Sequence, residues 1–287
     1  MDFTKLLVIG VILIPGQLLA QTMQKPLDLI EWRYSGDSFH CQMETALKFD
    51  GQARILVRSG QSPVFTLETF QRPVAVESAW LSINKQVWRI EKSVDRWLDG
   101  DVTGDYGLSF YDETAIKSLL NQMEQGAWVQ VSARDEHTGN AVHWDIPAVN
   151  FTAGLQDMKR CMAELLPMDF AGAQDNQFHF ATNQVELAEQ DIQTLKDLAT
   201  YINYDSSLSH ILIDGHTDNE GHSLSNLDLS RQRAVQVRNQ LINHGVDGNK
   251  IQLRAHGQRY PMVPNINESN RKKNRRVQVR LVQGGNS

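Results

Sequence analysis

Cysteine is almost missing from this chain: Cys41 and Cys161 are the only two among 287 residues. Two thiols cannot make a zinc site without histidines, and no histidine stands at ligand spacing beside either of them. Long apolar runs are missing too. Beyond the first twenty residues nothing approaches the roughly 20 apolar residues that a membrane-crossing helix needs. No G-x-S-x-G elbow occurs, so Ser223, Ser225 and Ser230 lack the turn that presents a nucleophilic serine. Positive charge is not in excess: 28 Lys plus Arg stand against 34 Asp plus Glu, a net charge of −6. That balance speaks against nucleic acid as a partner.

What is present begins with "MDFTKLLVIGVILIPGQLLA", residues 1–20. One lysine, an apolar core from Leu6 to Ile14, a Pro-Gly break and a closing Ala20 have the layout of a secretory signal peptide. The mature protein is therefore expected to be exported, with no membrane span. An oxidising compartment favours joining Cys41 to Cys161, the alternative being two buried free thiols. A bridge there closes a loop of about 120 residues, worth about 4–5 kcal/mol on the chain-entropy model.

The length allows two domains, and the pattern changes near residue 168. From Trp32 to Pro147, "ARILVRS", "PVFTLETF", "VAVESAWLSI", "QVWRIEKS", "WVQVSARD" and "AVHWDIP" read as short strands. Ser59-Gly60, Asn84-Lys85 and His137–Asn140 supply turn signals, which predicts an antiparallel β barrel or sandwich over residues 21–167. Two helices are expected within it, "ETAIKSLLNQMEQG" with Ile116, Leu119, Leu120 and Met123 on one face, and "LQDMKRCMAELL" around Cys161. "AGAQDNQ" reads as a linker. Residues 168–287 then predict strand, helix (Val185 to Ile202), strand "HILID", helix "RAVQVRNQLINHG", and strands "IQLRAHG" and "RRVQVRL". This β-α-β-α-β-β order, with alternating strands, implies a two-layer α/β sandwich with one sheet face open to water. The first part is the acidic one: residues 21–170 hold 14 basic and 21 acidic residues, a difference of −7.

One stretch concentrates polar chemistry, "ILIDGHTDNEGHSLSNLDLSRQRA". His216, Asp218 and His222 suggest a metal, but Gly215 and Gly221 bracket a loop and no further ligand stands out. A recognition pocket is the second option. Asp218, an acceptor, and Arg233, a bidentate donor, match the two ends of a zwitterion. Asn226, Ser230 and Arg233 share a helical face if the helix already runs from Asn226. A plain loop-to-helix salt bridge is the third. In "RKKNRRVQVR", Arg271, Lys272 and Lys273 read as a solvated strand end.

"GHTDNEG…NLDLSRQRAVQVRNQL", "HGVDGNKIQLRAHGQRYP" and "NRRVQV" together resemble the OmpA-like peptidoglycan-binding family, over roughly residues 171–283. The resemblance implies no catalysis and no cofactor, but a grip on the diaminopimelate of the peptidoglycan stem peptide by Asp218 and Arg233. Asn226, Asn183 in "FATN", Thr217 in "GHTD", Arg275 and Arg276 match the other binding positions. Two departures stand out: Ala181 replaces an acid, and "AHG" replaces an aromatic-containing run. On this reading His216 is a buried bystander and His222 a solvated one.

"FHCQMETALKFDGQARILVRSGQSPVFTLETFQRP" and "GLQDMKRCMAELLPMDF" resemble the amino-terminal domain of the MotY family, periplasmic proteins of the bacterial flagellar motor. Both cysteines fall at matching places. The resemblance implies a component of the ring around the flagellar basal body, holding to peptidoglycan and helping stator units assemble through a MotX-like partner. The alternative is a wall-anchored envelope protein unrelated to motility. A cell-wall hydrolase is a third class, for which no catalytic acid or metal site is found.

Overall fold

The computed structural model describes residues 22–23, 27–47, 51–69, 76–84, 96–103, 107–136 and 139–284. The expected signal peptide and the expected strand "QVWRIEKS" lie outside the described residues.

Ten strands form one large sheet: β1 (Thr22–Met23), β2 (Arg33–Gly36), β3 (His40–Ala46), β4 (Gly51–Arg58), β5 (Val64–Thr69), β6 (Val76–Asn84), β7 (Arg96–Thr103), β8 (Gly107–Phe110), β9 (Trp128–Asp135) and β10 (Ala141–Ile146). Their order across it is β1-β10-β9-β6-β7-β8-β5-β4-β3-β2. The pairs β10–β9, β9–β6, β6–β7, β7–β8, β8–β5 and β3–β2 are antiparallel, and β1 lies parallel to β10. Alternation drives this: β3 buries Cys41, Met43 and Thr45, and β5 buries Phe65 and Leu67, with half-buried residues between. Strands β1, β2, β3, β7 and β8 were not foreseen, since they are short or carry few of the β-branched residues that mark strands in sequence.

Contacts gather the chain into two compact units that are not contiguous in sequence. The first takes the described parts of Met1–Trp32, Thr45–Arg54 and Phe65–Thr152. Helix α1 (Glu113–Glu124) lies here and buries the four expected residues, Ile116, Leu119, Leu120 and Met123. Asp112 caps its start by accepting from the Ala115 amide at 2.7 Å. Near the first residue of α2 (Phe151–Glu164), Trp32 stands edge-on to Phe151 and donates Nε1–H to the Pro147 carbonyl at 3.1 Å.

The second unit takes Arg33–Glu44, Ile55–Val64 and Ala153–Ser287. Within it Cys41 of β3 and Cys161 of α2 form a disulfide, their Cα atoms 5.9 Å apart. A four-stranded sheet has the order β11 (Asp175–His179), β14 (Arg276–Gln283), β12 (Leu208–His216), β13 (Ile251–Gly257). The helices α4 (Glu189–Tyr204) and α5 (Ser223–Asn243) supply Leu195, Leu198, Ile202, Ala234, Val237 and Leu241 to a core shared with Ile211, Ile213, Val277 and Val279. This is the expected two-layer sandwich.

Three local expectations need correction. "AGAQDNQ" is not a linker: Phe170–Ala173 is a short helix, α3, and β11 starts at Asp175. The next helix starts at Glu189 instead of Val185, since the chain turns at residues 182–183 and runs without regular structure through 188, where Ala188 at the N-cap is extended. A helix α6 (Glu268–Asn274), capped by Asn267 accepting from the Asn270 amide, stands where a solvated strand end was expected. Seven polar residues are too few to show a hydrophobic period.

Candidate functional site

Gly215 ends the run of β12 that packs on α5. A Cβ there would overlap the Ser230 carbonyl oxygen, so a side chain would push the helix off the strand. Close contact brings the buried face of α5, Asn226, Ser230 and Arg233, against the end of the strand. The Ser230 hydroxyl donates to Leu227 O (2.7 Å) and accepts the Gly257 amide (3.0 Å), tying α5 to β13. Helix α5 does run through Asn226, as the shared-face reading required.

Beside this junction lies a cavity of about 130 Å³. Its walls come from Thr182 and Asn183, the loop residues Thr217, Asp218, Glu220 and Gly221, the α5 residues Asn226, Leu229 and Arg233, and Arg275. It is smaller than the roughly 300–1,000 Å³ clefts that enclose whole small molecules, so it suits an end group.

Asp218 is 5% exposed. Its Oδ1 accepts the Glu220 amide at 3.1 Å and its Oδ2 accepts Arg275 Nη1 at 2.8 Å. The loop that carries it is held by Thr217 Oγ1, which donates to Asp218 O at 2.9 Å. Asn226 Nδ2 adds bonds to Glu220 O (3.0 Å) and Gln258 Oε1 (2.8 Å). Thr217 and Asn226 thus shape the site mainly through backbone.

Arg233 is fully buried. Nε donates to Gln184 O at 2.8 Å and Nη2 to Ala181 O at 2.9 Å, while the guanidinium carbon lies 5.1 Å from the centre of the Phe180 ring. Nη1 has no hydrogen-bond partner among the described residues. Two of its five N–H donors, on Nε and Nη2, thus hold the 181–184 turn, and both N–H groups of Nη1 are left over. Burial lowers the Arg233 pKa to about 10, against the pull of Asp218, so the group is still a cation at neutral pH. Asp218 is paired with Arg275 instead of Arg233, which corrects the simple salt-bridge alternative.

Arg275 is a junction. Besides Asp218 it reaches Phe180 O (3.2 Å) through Nε and Glu268 Oε1 (2.6 Å) through Nη2. Burial works against its charge, but the hydrogen bonds it donates to the Glu268 and Asp218 carboxylates outweigh that and raise its pKa. Arg276 is not at the cavity. It is the first residue of β14, whose next residue, Val277, enters the core, so Arg276 faces the other side of the sheet. There Nη2 lies 3.4 Å from Tyr260 O.

The two histidines separate from Asp218. His216 is 5% exposed and stacks on His256 with ring centres 4.8 Å apart, while His222 is exposed just before α5. Among the described residues no group of three or more His, Cys, Asp or Glu is arranged to hold a metal. Sequence reasoning missed Thr182, Glu220, Gly221 and Leu229 at the cavity. It also misread Arg271, which pairs with Glu220 (3.0 Å) and Glu268 (3.1 Å) instead of facing solvent unpaired. The only signal was the spacing of Glu268, Arg271 and Arg275, three and seven apart on one helical face.

Residues 179–275 match the OmpA family and residues 23–167 match the MotY N-terminal domain family. The chain is 23% identical over 164 residues to the sodium-type flagellar protein MotY of Vibrio parahaemolyticus, covering 57% of this chain and 56% of that one. It is 30% identical over 102 residues to the peptidoglycan-associated lipoprotein of Haemophilus influenzae, covering 36% of this chain and 66% of the relative. The chain spans about half the length of such curated relatives. Among solved structures, the C-terminal domain of Helicobacter pylori MotB aligns at 26% identity and a TM-score of 0.36, over 38% of this chain and 86% of that one. Because the MotY N-terminal domain match takes in residues 23–167, about half of the chain, the chain belongs to that family, and the OmpA-family match over residues 179–275 lies behind it.

Proposed function

We propose that this protein is a non-enzymatic, periplasmic component of the flagellar motor that holds to peptidoglycan through the cavity at Asp218 and Arg233. The observation that supports it most is the pair of opposite charges on one small cavity. Asp218 offers a carboxylate, and among the described residues the two N–H groups of Arg233 Nη1 have no partner. Diaminopimelate in a stem peptide ends in an ammonium and a carboxylate on one carbon. Asp218 takes the ammonium and Arg233 Nη1 the carboxylate, with Asn183 and Thr182 at the rim. Membership of the MotY N-terminal domain family supports the rest of the reading, a role in the ring around the flagellar basal body that helps stator assembly through a MotX-like partner. The division of labour at residue 167, motor association before it and wall binding after it, belongs to the same proposal.

Sedimentation of the purified mature protein with peptidoglycan sacculi tests the wall contact. Asp218→Ala leaves the ligand ammonium unpaired and should cost roughly 2–5 kcal/mol of binding. Because Arg233 also holds the 181–184 turn, its variants are read only where the melting temperature is kept. Undiminished sedimentation of Asp218→Ala would remove the assignment. Release of soluble muropeptides by the wild type would point to a hydrolase. Normal swimming of a deletion strain would return the chain to the class of wall-anchored envelope proteins unrelated to motility.

A further inference from the structure

Asp218 poses a difficulty for any cationic ligand, since Arg275 already neutralises it at 2.8 Å. The surroundings resolve it. Arg275 Nη2 is bound by Glu268 Oε1 at 2.6 Å, Glu268 Oε2 accepts Arg271 Nε at 3.1 Å, and the same Arg271 Nε lies 3.0 Å from Glu220 Oε1. The Glu220 amide closes the circuit by donating to Asp218 Oδ1 at 3.1 Å. This ring holds three carboxylates and two guanidiniums, a net charge of −1, while Arg233 carries +1 on the cavity wall. Glu268 claims a share of Arg275 that Asp218 would otherwise take whole. The Arg275 guanidinium, followed by that of Arg271, pulls the Glu268 pKa down, so Glu268 supplies that charge at neutral pH.

We infer that Glu268 and Arg271, neither of them lining the cavity, set the charge that Asp218 presents to the ligand ammonium, with opposite signs of effect. The inference rests on the wall-binding reading above. Glu268 strengthens the site by dividing Arg275 between two carboxylates. Arg271 weakens it by drawing on Glu268 and Glu220. Both are positioning residues. Their side chains are partly exposed, 60% for Glu268 and 23% for Arg271, so salt screens their influence.

The test titrates a soluble diaminopimelate-containing tripeptide stem into the full mature protein by calorimetry, at low and at high salt, with a melting curve for each variant. Glu268→Gln keeps an acceptor for Arg275 Nη2 but takes the ring to zero charge, and should bind roughly three-fold more weakly at low salt. Arg271→Gln takes the ring to −2 and should bind as tightly as the wild type or up to about three-fold more tightly. The double variant restores −1 and should fall between the two singles. These differences should shrink at high salt. A scaffold role predicts instead that both singles weaken binding and that the double is worse still. That pattern, or an unchanged Glu268→Gln beside an Asp218→Asn that has lost binding, would overturn the inference and leave the wall reading standing. Failure of the wild type to bind the stem, with Asp218→Asn no different, would overturn both. Were Glu268→Gln to fold poorly, weakened binding by a well-folded Arg271→Gln would by itself refute the sign.

Discussion

Asp214 and Asp218, four residues apart, show how neighbourhood decides what a buried carboxylate does. Asp214 faces the open side of the four-stranded sheet and is bound by Arg254 Nη2 (2.7 Å), Arg280 Nη2 (2.9 Å) and His256 Nε2 (2.8 Å). A carboxylate only accepts, so His256 Nε2 is the donor. Burial alone would raise the Asp214 pKa, but these three donors outweigh it and bring it to about 2, from 3.8. The folded value is depressed, so the stabilisation is present above about pH 4 and is lost as pH falls toward 2. The size is about 2 kcal/mol. His216 acts in a higher window. Burial, then the charges of Arg276 and His256, take its pKa from 6.5 to about 4, with Asp214 opposing. The unfolded chain binds this proton more readily, so stability falls between pH 6.5 and 4, by about 3 kcal/mol at most. His216→Phe keeps a ring against His256 and cannot take a proton. Urea unfolding at pH 7 and at pH 4.5 should show a smaller acid loss for it than for the wild type, and equal losses would exclude His216 as the cause. Its wall binding at neutral pH should be unchanged, since His216 does not line the cavity.

Helix α5 explains what was readable in the sequence and what was not. Its second half, from Arg233 on, has an apolar face at Ala234, Val237 and Leu241 and was legible as a helix. Its first half buries Asn226 and Ser230, polar residues held by hydrogen bonds, so hydrophobic periodicity falls silent exactly where the site is built. Asp218 and Arg233 stood out by their complementary chemistry and gained a ligand through motif resemblance, whereas Glu268 was missed and Arg271 misread because α6 is short and entirely polar. Arg276 was placed at the site with Arg275 by the family resemblance, and strand alternation turns it to the opposite face of the sheet. The α5–β12 contact makes a sharp prediction. Gly215→Ala puts a methyl group into the Ser230 carbonyl, so either the helix shifts or the fold fails. Thermal melting should show a loss of roughly 1–3 kcal/mol or more, in the range of core overpacking. An unchanged melting temperature would mean that α5 does not sit so close. Strand β3 and helix α2 carry the other tie, the Cys41–Cys161 bridge. Cys41→Ser and Cys161→Ser should each cost up to about 4–5 kcal/mol on the chain-entropy estimate, and the double variant should add little to either single. Additive losses in urea unfolding would show that the two sulfurs act independently.

The two compact units of the molecule are each assembled from separate stretches of chain. Residues 33–44, 55–64 and 153–167 belong with the carboxyl-terminal sheet in one compact unit. Phe39, in the turn before β3, packs on that core, with its ring 5.6 Å from Tyr204 and 6.3 Å from Tyr201. A fragment of residues 168–287 loses this cover. It should fold less stably than the same segment does in the full chain, and calorimetry comparing the two checks it; equal stability would show that Phe39 and its neighbours add nothing. Function is therefore better divided by substitution than by truncation. A full-length Asp218→Asn protein should still collect at the flagellar base but be held there less firmly, since one of two attachments is gone. Fluorescence recovery at the motor should be faster than for the wild type, and complete absence from the motor would assign the targeting to the wall contact itself.

The reading of the cavity comes down to whether one zwitterion spans Asp218 and Arg233. Diaminopimelate and lysine stems differ at that end by one carboxylate, the group assigned to Arg233 Nη1. Calorimetric titration of the mature protein with the two otherwise identical tripeptide stems isolates it. Binding of the diaminopimelate stem, with the lysine stem weaker by roughly 30-fold or more, is the predicted result. Equal affinity for both would contradict it.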